Sequence, residues 1–126
     1  MAFNVYHNPQ NVTLGSTSIT GVQSIVVSVR YHEIHAAGDG DTRESVARYT
    51  TARTSGSITL LDPTSANAVE GQTGTLSFTW KNARGGNDKT VTIQNASLGG
   101  YDATVARDAA STVTLPFIAE SLPSIA

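Results

Sequence analysis

Four stretches of the chain alternate apolar and polar residues with a period of two. The clearest is TLSFTWK, in which Leu76, Phe78 and Trp80 fall on one side and the intervening Thr, Ser and Lys residues on the other. This alternation is typical of an antiparallel strand with one face on a core and one face in water. VQSIVVSVRY, KTVTIQNASL and STVTLPF repeat the pattern. Together they predict an all-β protein built from amphipathic strands.

Shorter strand candidates lie at residues 3–6, 11–14, 57–61 and 101–106. Pro116 interrupts the last alternating stretch. Because proline has no backbone N–H, we expect that strand to lie at a sheet edge or to bend there. The segment NARGGND, residues 82–88, predicts a hairpin loop between two of the alternating strands.

A single helix is predicted at about residues 63–70. Asp62 is a favourable N-cap residue, Pro63 suits the first helical position, and Gly71 is a natural stop. Ala66 and Val69 supply a small apolar face. We therefore expect one short α-helix that flanks the sheet.

The stretch YHEIHAAGDGDTRESVARYTT, residues 31–51, predicts part of a long projecting β-hairpin covering about residues 22–54. Its turn is expected at residues 38–41, GDGD. A compact domain of this length has a radius of gyration of about 14 Å, hence a span of roughly 35 Å. An extended arm over residues 22–37 is about 50 Å long at roughly 3.3 Å per residue. The hairpin is thus expected to reach beyond its own domain.

The second arm of this hairpin has no apolar face. Strict alternation places Glu44, Val46, Arg48, Thr50 and Ala52 on one side, and Arg43, Ser45, Ala47, Tyr49, Thr51 and Arg53 on the other.

An isolated two-stranded ribbon is only marginally stable in water, and exposed strand edges favour pairing with other chains. We interpret the hairpin as an arm that lies on a neighbouring subunit, where mixed charges set the register. The alternative is a solvent-exposed loop. The candidate subunit and ring interface residues are His35, Gly38, Asp39, Gly40, Asp41, Arg43, Glu44, Arg48, Tyr49 and Arg53.

Composition narrows the function classes. The 126 residues suit one domain, 1–126, and 39% are hydrophobic while 14% are charged. The net charge of −2, without clustered Lys or Arg, argues against a protein that wraps nucleic acid. The sequence contains no cysteine, so disulfides are not expected. We also expect no secretory signal and no membrane span, which would need about 20 apolar residues in a row.

The sequence offers only weak candidates for catalytic, metal-binding or ligand-binding sites. HEIH spaces His32 and His35 three apart in a strand, on opposite faces, whereas a zincin needs a spacing of four on a helix. DGDTRE lacks the twelve-residue ligand pattern of a calcium loop. Trp80 alternates with Leu76 and Phe78, which favours packing in the core over stacking against a bound ligand. We predict no enzyme activity, no metal and no cofactor.

The order of elements between Gly21 and about Ala119 resembles a bacteriophage tail tube protein, of the inner-tube family related to contractile injection machines. The resemblance rests on GVQSIVVSV, the hairpin around GDGDTRE, GSITLLD, the helix PTSANAVEG and GTLSFTW. It continues through a Gly-rich turn and KTVTIQNASLGGYDATVARDAASTVTLPFIA. No added immunoglobulin-like domain is present in this stretch, unlike in the commoner pattern.

This resemblance implies an antiparallel β-sandwich or partial barrel with one flanking helix. It also implies a structural virion protein of the tail, assembled in the host cytoplasm, whose hexameric rings stack into a tube that conducts DNA during ejection. The implied partners are the chain itself, a tape-measure protein and passing DNA, with sheath, baseplate and terminator proteins beside them; no membrane is implied. The alternatives are another virion component, such as a capsid decoration or baseplate protein, and a carbohydrate-binding β-sandwich that uses Trp80 or Tyr49.

Overall fold

The computed structural model describes residues 6–40, 42, 43 and 46–126 of the chain. The elements are β1 Tyr6–Leu14, β2 Thr17–Ser18, β3 Val22–Ala36, β4 Val46–Leu60, α1 Pro63–Val69, β5 Thr73–Asn82, β6 Lys89–Leu98, β7 Asp102–Thr104, β8 Thr112–Ala119 and β9 Ser124–Ile125. The all-β prediction with a single short helix is confirmed for the described residues. All four alternating stretches form strands.

The strands form one antiparallel sheet in the order β2-β1-β5-β6-β8-β4-β3, with β7 paired to β8 and β9 paired to β6. The sheet curls so far that β1 and β3, near its opposite ends, contact each other. No strand pairing joins β1 to β3 among the described residues, so the curl is an open one and the sheet is not closed into a barrel. This is the partial-barrel form of the predicted architecture.

The core lies inside the curl and is filled by the inward residues of each alternating strand. Leu76 and Phe78 are buried, while Trp80 is half-buried and packs against the core with its ring 6.3 Å from that of Phe78. The helix closes one side of the core with Ala66 and Val69, which are both fully buried. Burial of this apolar surface is the main favourable term in the folding of the body.

Helix α1 begins where the sequence predicts. Asp62 caps it, with Oδ1 accepting a hydrogen bond from the Thr64 N–H at 3.0 Å, and Pro63 occupies the first turn. Hydrogen bonds from the Thr20 hydroxyl, then from the backbone at Thr64 and from Ser65, hold the pKa of Asp62 below its usual value, against a smaller opposing effect of desolvation. Gly71 follows the helix with a φ of +71°.

Pro116 predicts either a sheet edge or a bend, and the edge position is wrong because strand β8 is an interior strand. It lies between β6 and β4, and Pro116 is the register partner of Ser57. The carbonyl of Pro116 accepts a hydrogen bond from the N–H of Gly99 at 2.9 Å. A strand residue directs its N and C=O to the same side, so the absent proline N–H faces the gap where β6 ends and β7 begins. No ladder hydrogen bond is lost there.

The loop predicted at residues 82–88 is organised by one buried side chain. Asn82 is 4% exposed, and its Oδ1 accepts from the N–H of Arg84 at 2.9 Å. Its own N–H donates to Oδ1 of Asp88 at 2.8 Å, and its Nδ2 donates to the carbonyl of Asn87 at 3.3 Å. The loop is therefore held across its base by Asn82.

Three shorter strand predictions need adjustment. The strand at 11–14 is the end of β1, which begins at Tyr6, and the candidate at 3–6 lies outside the described residues except for Tyr6. The candidate at 57–61 is the base of β4, and that at 101–106 shortens to Asp102–Thr104. Register shifts in β1, where Asn8 and Asn11 have positive φ, break the alternation that would have revealed a long strand.

Candidate assembly surface

The predicted projecting hairpin is confirmed. Strands β3 and β4 pair from Val22 with Leu60 to Ala36 with Val46. Strand β8 accompanies β4 only as far as Thr54, the register partner of Ala119. Beyond this point only the two hairpin strands pair with each other among the described residues. The eight residues of β4 from 46 to 53 extend this ribbon by about 26 Å at roughly 3.3 Å per residue.

A bulge in the ribbon overturns the faces expected from strict alternation. Tyr31 is the partner of Ala52, yet Glu33 is the partner of Tyr49, so two residues of β4 lie opposite His32 alone. One of them, Thr50, donates its hydroxyl to the carbonyl of His32 at 3.4 Å. An extra residue in one strand shifts the alternation beyond it by one position. Tyr49 therefore shares a face with Ala52, the residue it was predicted to oppose.

One face of the ribbon, the tyrosine face, consists of Tyr31, Glu33, His35, Ala47 and Tyr49. It continues the core-side face of β3 past the end of the core. The rings of Tyr31 and Tyr49 meet edge to face with centroids 6.3 Å apart, and Nε2 of His35 lies 3.2 Å from a carboxylate oxygen of Glu33. Tyr49 is 66% exposed, so this aromatic pair covers no core of its own chain.

The opposite face, the arginine face, consists of Arg30, His32, Ile34, Arg48 and Arg53. Arg30 lies directly opposite Arg53, and Ile34 lies opposite Arg48. Among the described residues no carboxylate lies within ion-pair distance of Arg30, Arg48 or Arg53. Like charges directly opposite each other on a strand pair are destabilising.

The predicted interface residues divide among these surfaces. His35 and Tyr49 lie on the tyrosine face, and Arg48 and Arg53 on the arginine face. The strands are joined by residues 37–45, a connection longer than the tight turn predicted at 38–41. The predicted residues in this connection are Gly38, Asp39, Gly40 with a φ of +83°, and Arg43, all exposed; Asp41 and Glu44 lie outside the described residues.

Two residues of this region were not predicted from the sequence. Arg30 belongs to the first arm and gains importance only through its register with Arg53. Thr54, at the base of the ribbon, is 1% exposed, and no described group hydrogen-bonds its hydroxyl. In the sequence it is one threonine among many, so no local signal marks it.

The outer face of the body is rich in hydroxyl groups and carries few charges. Cross-strand pairs such as Thr59 with Thr114 and Ser77 with Thr92 repeat across the sheet. We call this surface the hydroxyl face; it comprises Ser55, Ser57, Thr59, Thr73, Ser77, Thr79, Thr90, Thr92, Ser97 and Thr114. At the base of the ribbon it forms a groove of about 710 Å³. The groove is lined in part by Arg53, Ser55, Ser97, Ile118 and Glu120.

The described residues provide no group of three or more His, Asp or Glu side chains that could hold a metal ion.

A second groove, of about 370 Å³, lies beside the half-buried Trp80 between His7 and Ile25. No described helix is long and apolar enough to cross a membrane.

No family model matches the chain. No curated protein matches it either.

Solved structures do share its fold. A chain of an extracellular contractile injection system, the PVC sheath/tube terminator in the extended state, superposes with a TM-score of 0.65 at 12% identity over 91% of each chain. The PVC sheath-tube complex in the extended state gives 0.64 at 11% identity, over 91% of this chain and 86% of that one. The virion of a native gene transfer agent particle gives 0.59 at 11% identity, over 91% and 93%. The chain therefore has the fold of proteins found in contractile injection systems and gene transfer agent particles, as its resemblance to tail tube proteins predicted.

Proposed function

We propose that this chain is a non-enzymatic structural subunit of a phage-type tail, and that it self-assembles into stacked hexameric rings forming the tail tube. The observation that carries the proposal is the two-stranded ribbon beyond Thr54, whose faces are exposed and cover no core. A ribbon of this kind is marginal alone and becomes useful when a neighbouring subunit covers it. The likeness of the fold to chains of tail-like particles supports the same conclusion.

Ring formation requires edges through which subunits join. Strand β3 is the last strand of the sheet, so along residues 22–34 its outer edge presents backbone N–H and C=O groups with no strand partner among the described residues. Such an edge is a template for pairing with another chain. In the proposed assembly the body closes the ring and the tip of the hairpin contacts the adjacent ring.

The hydroxyl face suits the wall of a channel that conducts DNA. Hydroxyl groups keep a surface wet, whereas clustered Lys and Arg would retain DNA by releasing its counterions. We place the tape-measure protein and passing DNA in this lumen, and sheath, baseplate and terminator proteins at the outside and ends. The location is the tail of the virion, after assembly in the host cytoplasm.

The test is negative-stain electron microscopy of the concentrated, purified protein. We expect tubes or rings from the wild type, and a folded monomer that makes no tubes when residues 36–41, AAGDGD, are deleted. A matched control shortens the exposed β7–β8 connection by removing residues 107–110, and this variant should still form tubes. Normal tubes from the 36–41 deletion would refute the ring-locking role of the hairpin.

The likeness to a chain of a sheath/tube terminator structure favours one other candidate, a tail component that binds a different virion protein instead of forming the tube. Tubes formed by the purified protein alone would contradict this candidate. Wild-type protein that stays monomeric when concentrated would contradict the tube proposal.

A further inference from the structure

The arginine face contains an arrangement that is unfavourable in the isolated chain. Arg30 and Arg53 are direct register partners on neighbouring strands, and both side chains are exposed. Directly opposed residues have Cβ atoms about 4.5–5.5 Å apart, so the two guanidinium groups lie within reach of one common anion. The pair is located where the ribbon leaves the body, one residue beyond the end of the β4–β8 pairing at Thr54.

Neither arginine forms an ion pair with a described carboxylate. Along the same face the neighbouring register pair is Ser28 with Ser55, and His32 lies at the bulge on the other side. Glu120 lines the groove that also contains Arg53, yet the two do not form an ion pair. A further groove, of about 330 Å³ and separate from the two described above, lies between Arg30, His32 and Arg53 and is open to an incoming side chain.

We propose that Arg30 and Arg53 together bind a carboxylate of a second copy of this chain. Guanidinium groups bind carboxylates in bidentate geometry, and such charge-assisted hydrogen bonds are stronger than neutral ones. Two arginines that repel each other in the monomer become a matched pair of donors once one negative charge lies between them. The inference rests on the proposed self-assembly and names the chemistry of one contact within it.

Charge complementarity identifies the second copy as the occupant. Outside the hairpin the sequence has six carboxylates and four Lys or Arg residues, so the body is acidic while this face of the ribbon is basic. Asp62 and Asp88 already accept hydrogen bonds within the chain. The other four, Glu70, Asp102, Asp108 and Glu120, are exposed, and each is available to a neighbouring subunit.

The experiment compares the double variant R30Q/R53Q with the wild type by sedimentation velocity. Self-association is measured in about 0.1 M and about 1 M sodium chloride, between which the screening length falls from about 10 Å to about 3 Å. R84Q/R107Q is the matched control, since it removes the same two charges from exposed loops elsewhere in the body. Circular dichroism checks that each variant is folded.

We expect R30Q/R53Q to weaken self-association by about tenfold or more at low salt, with little effect at high salt, because the lost intersubunit charge contact is one that salt screens. The control should associate as the wild type does. The thermal midpoint of the R30Q/R53Q monomer should be equal to or above that of the wild type, because a like-charge contact is removed. R53Q alone should have a smaller effect in the same direction.

Three outcomes would overturn the inference. If R30Q/R53Q associates like the wild type, the pair contributes no intersubunit contact, although the proposed tube function would stand. If R30Q/R53Q loses affinity for a labelled single-stranded oligonucleotide while associating normally, the pair binds phosphate instead. A wild-type protein that remains monomeric at both salt concentrations would contradict both this inference and the proposed function.

Discussion

Gly56 provides the sharpest test of how the ribbon is attached to the body. It lies in β4 between its register partners Val27 and Phe117. A Cβ at this position would lie 1.9 Å from the carbonyl oxygen of Val26 and 2.8 Å from Cζ of Phe117. Ordinary contacts begin near 3.4 Å, so the backbone of β3 would have to move by more than an ångström. The Gly56→Ala variant is therefore expected to disturb the junction of the two strands.

The cost follows from overpacking. Extra methylene groups in a packed region cost about 1–3 kcal/mol, and a clash with backbone belongs at the upper end, about 3 kcal/mol. A chain of this size has an unfolding entropy of about 0.26 kcal/mol/K, so the midpoint should fall by roughly 11 °C. Thermal unfolding followed by circular dichroism measures this shift in the monomer.

Two companion variants make the Gly56 experiment specific. Gly100→Ala is the matched control, because a Cβ there meets nothing within 4 Å, and its midpoint should stay within about 2 °C of the wild type. Adding Phe117→Leu to Gly56→Ala removes the ring contact but leaves the clash with Val26, so stability should not recover. A Gly56→Ala protein that melts with the wild type would refute the close approach of β3 and β4.

Three further predictions concern the base of the ribbon and the loops. Thr54→Val should raise the free energy of unfolding by about 1 kcal/mol, because it replaces a buried hydroxyl with no described partner by an isosteric methyl; a lower midpoint would show that the hydroxyl is bonded. Asp62 has a folded pKa below its unfolded value, so its stabilising effect is present above the unfolded pKa and is lost as the pH falls through the folded one. Asp62→Asn should flatten this acid limb of the stability–pH curve, and an unchanged limb would contradict the assignment. Asn82→Ala removes the side-chain hydrogen bonds to the Arg84 N–H and the Asn87 carbonyl and should lower the free energy of unfolding by about 1–3 kcal/mol in urea unfolding, whereas Asn87→Ala keeps both bonds and should not; equal losses would refute the role of Asn82.

Most of the fold could be predicted because its strands bury one face each. Leu76 and Phe78 in β5, like Leu115 and Phe117 in β8, alternate with polar residues and face the core as expected. The helix could also be predicted, because its N-cap residue and its first-turn proline are adjacent in the sequence. Signals of this kind lie within a few residues of one another and need no knowledge of the partner strand.

Features that depend on pairing between distant segments could not be predicted. The bulge opposite His32 reverses the faces of the second arm, and nothing in the local sequence of Thr50 or Thr51 marks it. The opposition of Arg30 and Arg53 likewise exists only through register. Pro116 lacks a backbone N–H and so predicts an edge strand. In the structure that position faces the gap between β6 and β7, where no N–H is needed to pair with a neighbouring strand.

In the proposed assembly a second copy of the chain covers the ribbon. Hydrogen–deuterium exchange of the monomer and of the assembled protein, read by mass spectrometry, tests it directly. We predict that peptides from residues 30–36 and 46–53 exchange much more slowly in the assembly, while those of the interior strands β6 and β8 change little. Assembled particles whose ribbon exchanges as fast as in the monomer would show that no second copy covers it.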